Sequence, residues 1–303
     1  MESHLSESAQ AYIHFLRDML VEEVLKVFGA SRRSLIGRGI TAAVRPAARH
    51  LAELATQFEA RVDLGGLPAA SRWLLPRFVR SVEVQGFENI PAHGPLLVTA
   101  NHPGSVDGLI IAAQLPRPDL KIVLADLPFF LNLRVLKQRL IYVSRDTYQR
   151  LTPVRAAIRH LKAGGSVLIF PGGTIEPDPA ILPGMEAAIE RWSESIDLIL
   201  RLVPDTQVLV GMVSGVLSPS ILRNPITRLR DNLKDRQRIA EIIQTVQQLL
   251  LPIKPSVHPR LNFSNPFTLE DIQRRYAESS AIEAVRRAAR SLLDPSRDTT
   301  SSA

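Results

Sequence analysis

There is no cysteine anywhere in the 303 residues. Disulfides, a thiolate nucleophile and thiolate metal ligation are excluded at once, and a cysteine-free chain fits a reducing compartment. Long hydrophobic runs are missing too. No stretch approaches the roughly eighteen consecutive uncharged apolar residues of a transmembrane helix. The first ten residues are polar, carry Glu2 and Glu7, and lack the basic start and apolar core of a signal peptide. The expectation is a cytoplasmic protein; if it works on lipid, it must do so from the surface, by peripheral association. The histidines form no H-E-x-x-H or comparable pattern, so no metal is expected. A G-x-S-x-G elbow is also wanting: the nearest approach, Gly211-Met212-Val213-Ser214-Gly215, is one position off, which argues against a serine hydrolase. Acidic residues are the scarcer sign, 30 against 37 basic, for a formal net charge of +7. That balance favours anionic partners. With no helix-turn-helix, RNA-binding or zinc pattern beside it, it does not point to nucleic acid.

What is present is periodicity, of two kinds. Ile13, Leu16, Leu20, Val24 and Val27 recur at helical spacing and stop at Gly29. A second helical pattern runs from Ala42 to Phe58, and Gly65-Gly66 breaks it. Leu67 to Arg80 then mixes Trp73 and Phe78 with Arg72, Arg77 and Arg80, which suits either a membrane interface or core packing. From Ser81 the pattern changes. Val82–Val84 and residues 95–100, 120–124, 140–144, 166–170, 207–213 and 257–263 read as strands, most of them separated by helical segments. Thr152 reads as an N-cap with Pro153 behind it. Residues 228–251 read as a long amphipathic helix, and Thr268 with Asp271 forms a T-x-x-D capping pattern for a last helix to about Leu293. These elements predict an α/β fold: a mixed, mostly parallel sheet of about seven strands flanked by helices. The expected organisation is an N-terminal helical segment over 1–80, an α/β domain over 81–293 and a disordered tail over 294–303.

The chemistry concentrates in Asn101-His102-Pro103-Gly104-Ser105-Val106-Asp107, directly after an apolar strand. A histidine takes a proton near neutral pH. A carboxylate behind it fixes the tautomer and stabilises the imidazolium, as in half of a hydrolase triad. With no protein nucleophile in view, the base is expected to activate a hydroxyl belonging to a substrate.

The form N-H-x-x-x-x-D resembles the first motif of the glycerolipid acyltransferases, the family of 1-acylglycerol-3-phosphate acyltransferase. Three further segments follow in that family's order. Arg139 to Asp146, a strand ending in Arg145, resembles the second motif. Phe170-Pro171-Gly172-Gly173-Thr174 resembles the third, usually F-P-E-G-T. Val208 to Gly215 occupies the place of the fourth, which usually carries V-P. The resemblance implies transfer of a fatty acyl group from acyl-CoA or acyl-carrier protein to a hydroxyl of a lipid or glycerol-phosphate-like acceptor, without a cofactor, at a membrane surface rich in anionic lipid. It implies His102 as general base oriented by Asp107. Asn101, Arg145, Phe170, Pro171, Gly172, Gly173 and Thr174 are the expected substrate-binding residues, with the N–H groups of Gly172 and Gly173 free to approach an oxyanion or phosphate. Two departures stand out. Gly172 replaces the usual glutamate and Ile175 the usual basic residue, and Gly211 stands where the fourth motif has proline. They motivate a second reading, a non-catalytic lipid-surface binding relative of the same fold, against which the retention of both His102 and Asp107 argues. Leu127 to Leu131 is a further apolar run, suited to core, an acyl tunnel or a membrane edge.

Overall fold

The computed structural model describes residues 7–144, 151–251, 256–275 and 280–293. Arg145 and the tail from 294 lie outside the described residues. Within them the seven strands are β1 (Glu83–Gln85), β2 (Leu96–Ala100), β3 (Lys121–Ala125), β4 (Leu140–Val143), β5 (Ser166–Ile169), β6 (Gln207–Ser214) and β7 (Arg260–Phe263). They form one sheet in the order β1-β7-β6-β2-β5-β3-β4. All pairings are parallel except β6 with β7. The described helices are α1 (Glu7–Phe28), α2 (Leu35–Leu74), α3 (Asp107–Gln114), α4 (Pro128–Leu131), α5 (Leu151–Lys162), α6 (Met185–Ile189), α7 (Ser195–Leu202), α8 (Pro219–Leu222), α9 (Leu233–Leu250), α10 (Leu269–Arg275) and α11 (Ala281–Leu293). None is long and apolar enough to cross a membrane.

Every residue of β2 is buried, because helices cover both faces of the sheet, as expected of parallel strands. Side chains alternate with the strand period of two. Leu96, Val98 and Ala100 of β2, Leu168 of β5, and Leu209 and Val213 of β6 join a core with α1, α2, α3 and α9. Leu97, Val167, Ile169, Val208, Val210 and Met212 face the opposite core, built with α5, α6, α7 and α11. Each such side chain contributes about 1.5–3 kcal/mol on burial. That is why the central strands read as unbroken apolar runs.

The N-terminal helices pack on the sheet and its loops. Glu59 of α2, only 5% exposed, accepts from the N–H groups of Val135 and Leu136 and from the Tyr12 hydroxyl. Arg61 lies 3.7 Å over the Trp73 ring, Arg72 donates to the Ala113 carbonyl at the end of α3, and Phe78 is 4% exposed. In residues 67–80, then, the aromatic side chains pack inward while Arg72, Arg77 and Arg80 stay exposed. Phe129 of the 127–131 run is likewise buried, but Leu131 is exposed.

Several element boundaries move, among them that of the helix expected over 228–251, which begins at Leu233 after a separate 3-10 turn over Pro225–Leu229. The second helix begins at Leu35, not Ala42, and takes in Gly37 and Gly39; Ser34 caps it by accepting from Gly37 N, chemistry that outweighs the two glycines. Thr152 and Pro153 are the second and third described residues of α5, past the cap position. Thr268 and Asp271 do exchange hydrogen bonds as a capping pair, but the helix they open, α10, is described only to Arg275, and α11 begins separately at Ala281.

The expected break at Gly66 is present inside α2, with φ 74° and ψ 178°. A Cβ there would stand 3.0 Å from the Pro118 carbonyl oxygen. Gly66→Ala combines a left-handed backbone with this close approach, and we expect a loss of about 1–3 kcal/mol in urea unfolding, against a gain of about 0.5–1 kcal/mol for Gly39→Ala, which is exposed and unhindered inside the same helix.

Candidate active site

Parallel α/β sheets present their loops at the carboxyl ends of the strands. Three adjacent strands, β6, β2 and β5, here deliver three of the four segments singled out above. The second belongs to β4 at the sheet edge, two strands beyond β5.

His102 leaves β2 two residues after its end, and Asp107 opens α3. The ring Nδ1 lies 2.9 Å from Asp107 Oδ2. The carboxylate is 1% exposed and the imidazole 29%, so the acid is sequestered while the ring stays accessible. Asp107 also accepts from Gly104 N at 3.0 Å and Gly108 N at 2.6 Å, which fixes both oxygens. An ionised carboxylate only accepts, so Nδ1 carries the proton and Nε2 keeps its lone pair. The ring stacks on Phe170, with centroids 4.6 Å apart and planes at 27°. Burial, the strongest influence on His102, pulls its pKa down. The charge and hydrogen bond of Asp107, with the charges of Glu241 and Glu176, outweigh it, and the value stands above 6.5.

Asn101 is fully buried. Its amide donates to the Val213 carbonyl at 2.8 Å and accepts from Val213 N at 2.7 Å, tying the turn to β6. With both groups so used, it holds the turn and presents nothing to a substrate. Pro171 is buried and its carbonyl accepts from Ser193 N. Gly173, at φ 65°, turns the chain, and its N–H donates to the Phe170 carbonyl at 3.0 Å. That N–H is therefore not free for an anion, because the tight turn consumes it. Thr174 is exposed and Gly172 half-buried.

Glu176 lies near enough in sequence to substitute for the glutamate that Gly172 replaces, a role that sequence alone does not show. It is 4% exposed. Its Oε2 accepts from His102 N at 2.9 Å, its Oε1 accepts from the Trp192 indole at 2.8 Å, and its own N–H donates to the His102 carbonyl at 2.8 Å. His102 is thus gripped at both backbone groups. A Cβ on Gly172 would stand 2.3 Å from Glu176 Oε1: the glutamate side chain occupies the space that any side chain at 172 would need. Burial raises the pKa of Glu176, and the donors from His102 and Trp192 oppose the rise.

Helix α9 reads from its apolar face, Ile239, Ile242, Ile243, Val246 and Leu249, and that reading misses a second stripe. Gln237, Glu241, Gln244 and Gln248 follow at spacings of four, three and four, so they share one face, and this face meets the motif loops. Gln237 donates to the carbonyls of Pro103 and Glu176. Glu241 accepts from the Ser105 hydroxyl. Gln244 bridges Val216 and Ser218, and Gln248 donates to the Phe78 carbonyl. Burial pushes Glu241 up to about 8, against the Ser105 hydrogen bond and the charge of His102, which favour its ionised form. Asp178, fully buried, accepts from the N–H groups of Gly215, Val216 and Leu217 and joins the loop of the third segment to that of the fourth. A cavity of about 290 Å³ beside the third segment is lined by Gly172, Thr174, Glu176, Arg191, Lys234 and Gln237 among others.

A histidine with a free lone pair, braced by a buried carboxylate, can deprotonate a bound hydroxyl. Among solved structures, that of the 1-acyl-sn-glycerophosphate (LPA) acyltransferase PlsC from Thermotoga maritima is similar to this chain at 17% identity over 97% of each chain, with a TM-score of 0.42. The family model described as Acyltransferase matches residues 81–200, a span that runs from the start of the sheet into α7 and takes in the His102–Asp107 pair, the second segment and the third. Over residues 81–200, then, the chain is similar to the acyltransferase family.

Proposed function

We propose that this acyltransferase moves a fatty acyl group from a thioester, acyl-CoA or acyl-carrier protein, to a hydroxyl of a glycerolipid-type acceptor. The observation that carries the reading is the 2.9 Å pair of His102 Nδ1 and the buried Asp107. In this mechanism Nε2 takes the acceptor's hydroxyl proton as its oxygen attacks the thioester carbonyl. Asp107 stabilises the imidazolium that results. The tetrahedral intermediate collapses, the C–S bond breaks, and the imidazolium returns the proton to the departing thiolate. The products are an ester and a free thiol, and no acyl-enzyme is formed. We assign the anionic part of the acceptor to the cavity beside the third segment, where Arg191 and Lys234 supply positive charge and a guanidinium suits a phosphate. Arg145 is proposed as a further acceptor contact. Peripheral work at an anionic membrane is part of the same reading, in keeping with the net charge of +7.

Thiol release from a panel of acyl thioesters, with lysophosphatidate, glycerol 3-phosphate and uncharged lyso-acceptors offered in turn, tests it. We expect release that requires an acceptor, with phosphorylated acceptors preferred. No acceptor-dependent release from either acyl-CoA or acyl-carrier protein would transfer the weight to the non-catalytic lipid-surface reading.

A further inference from the structure

Helices α1 and α2 leave a crevice between them of about 400 Å³, far from the His102 turn in sequence. Arg17, Asp18 and Val21 line it from α1, Arg32 from the connecting loop, and Arg38, Thr41, Ala42 and Arg45 from α2. The α2 residues follow at spacings of three, one and three, a single helix face. Four arginines thus converge with one carboxylate, Asp18, which Arg17 and Arg32 already share at 2.9 and 3.7 Å. Arg32 is further paired with Glu22 at 3.1 Å. Arg38 and Arg45 have no ion-pair partner among the described residues.

Arg17, only 8% exposed, has its charge compensated by Asp18. A solvated charged face would explain the exposed arginines, but one feature goes beyond that. The Thr41 hydroxyl oxygen is buried at the crevice wall and makes no hydrogen bond, which leaves a donor for an absent acceptor. The crevice is also rigidly built. Ser34 Oγ donates to the Ser31 carbonyl while accepting from Gly37 N. Gly37 is buried so closely that a Cβ would stand 1.9 Å from Ser31 O. The loop bearing Arg32 is therefore locked against the first turn of α2, which bears Arg38.

We infer that this crevice binds a phosphate-bearing anion, with Arg38, Arg45 and the Thr41 hydroxyl as its ligands. Guanidiniums and a hydroxyl donor match phosphate oxygens. In the first turn of α2, Leu35 and Ile36 are 84% and 73% exposed and sit in sequence between Arg32 and Arg38. Apolar side chains next to a phosphate site suit the headgroup of an anionic phospholipid better than a free phosphate, since they would enter the acyl layer as the arginines meet the headgroup. The site is separate from acyl transfer.

Sedimentation of the full chain with vesicles tests the inference. The vesicles are phosphatidylcholine alone or phosphatidylcholine with phosphatidylglycerol, and melting with and without inorganic phosphate is measured in parallel. We expect binding to the anionic vesicles, weakened about five-fold per arginine and about thirty-fold in Arg38→Gln/Arg45→Gln. Arg33→Gln/Arg80→Gln, which removes two exposed arginines outside the crevice, is expected to weaken it far less. Phosphate that raises the melting temperature of the wild type alone and displaces the vesicles identifies phosphate from either source as the ligand. Vesicle binding indifferent to phosphate assigns it to the lipid headgroup. Equal weakening by both pairs of substitutions, or none by the crevice pair together with no phosphate effect on melting, overturns the site. Acyl transfer to a detergent-dispersed acceptor is expected to be unchanged in the crevice variant, so a failure of the acyltransferase mechanism would register separately.

Discussion

His102→Ala is expected to lower kcat by roughly 10²–10⁴-fold, the usual contribution of a general base, with little change in melting temperature. The imidazole is 29% exposed, and the backbone groups that hold the turn, His102 N and O bonded to Glu176, survive the substitution. The informative control is the pH profile. A base must be neutral, so activity rises with pH as His102 loses its proton, and the midpoint should lie above 6.5 because Asp107, Glu241 and Glu176 together outweigh burial. Stability follows the opposite sign. A histidine whose folded pKa is raised stabilises the fold at pH below its unfolded value, and that contribution is lost as pH climbs through the folded value. Activity and this part of stability should therefore cross over the same window. Asp107→Asn removes the charge and sets an amide against the Gly104 N–H, so the acid limb should shift to lower pH while the maximum rate falls. An unchanged acid limb in that variant would separate Asp107 from the titrating base and sink the assignment.

The sheet was legible because its signal is local. All seven strand segments emerge as strands, since central strands buried on both faces must be apolar throughout, and Leu96 to Ala100 or Val208 to Val213 cannot hide that. The His102–Asp107 pair was legible for a similar reason: both members lie within one turn of chain, and the spacing itself brings them together. What was not legible is the support. Glu176 reaches His102 across 74 positions, and Gln237 reaches Pro103 across 134, so only the sheet order reveals either contact. The stripe Gln237, Glu241, Gln244 and Gln248 did leave a trace, polar residues at helical spacing. A search for the apolar face passes over such a stripe, because polar side chains on a helix are ordinarily solvated. At Gly172 and Gly173 the structure differs from the expectation of open N–H groups: Gly173 spends its N–H on the turn, and Gly172 makes room for a carboxylate from four residues on.

That last contact makes the second large prediction. Glu176→Ala should lower both stability and turnover. It orphans the Trp192 indole N–H and the His102 N–H, both satisfied by this carboxylate alone, at about 1–3 kcal/mol for each buried donor left unpaired. It also frees the backbone that carries the base. We expect kcat to fall by about 10-fold or more, since small misplacements of a catalytic group cost on that order or beyond, while KM for the thioester changes little. Loss of stability alone would not distinguish a brace from ordinary packing, so the test is a cycle. Gly172→Asp by itself should be damaging, because its Cβ would fall 2.3 Å from Glu176 Oε1. That gap is close to the reach of an aspartyl oxygen, two bonds beyond its own Cβ. In Gly172→Asp/Glu176→Ala the new carboxylate can therefore enter the vacated space and accept again from Trp192 or His102. The double variant should recover part of the turnover that Glu176→Ala loses, a coupling on the order of 0.5–3 kcal/mol whose sign runs against the two separate losses. If the double variant is as slow as the sum of its parts, the carboxylate at this place does not position His102, and the closeness of Gly172 to Glu176 is packing alone.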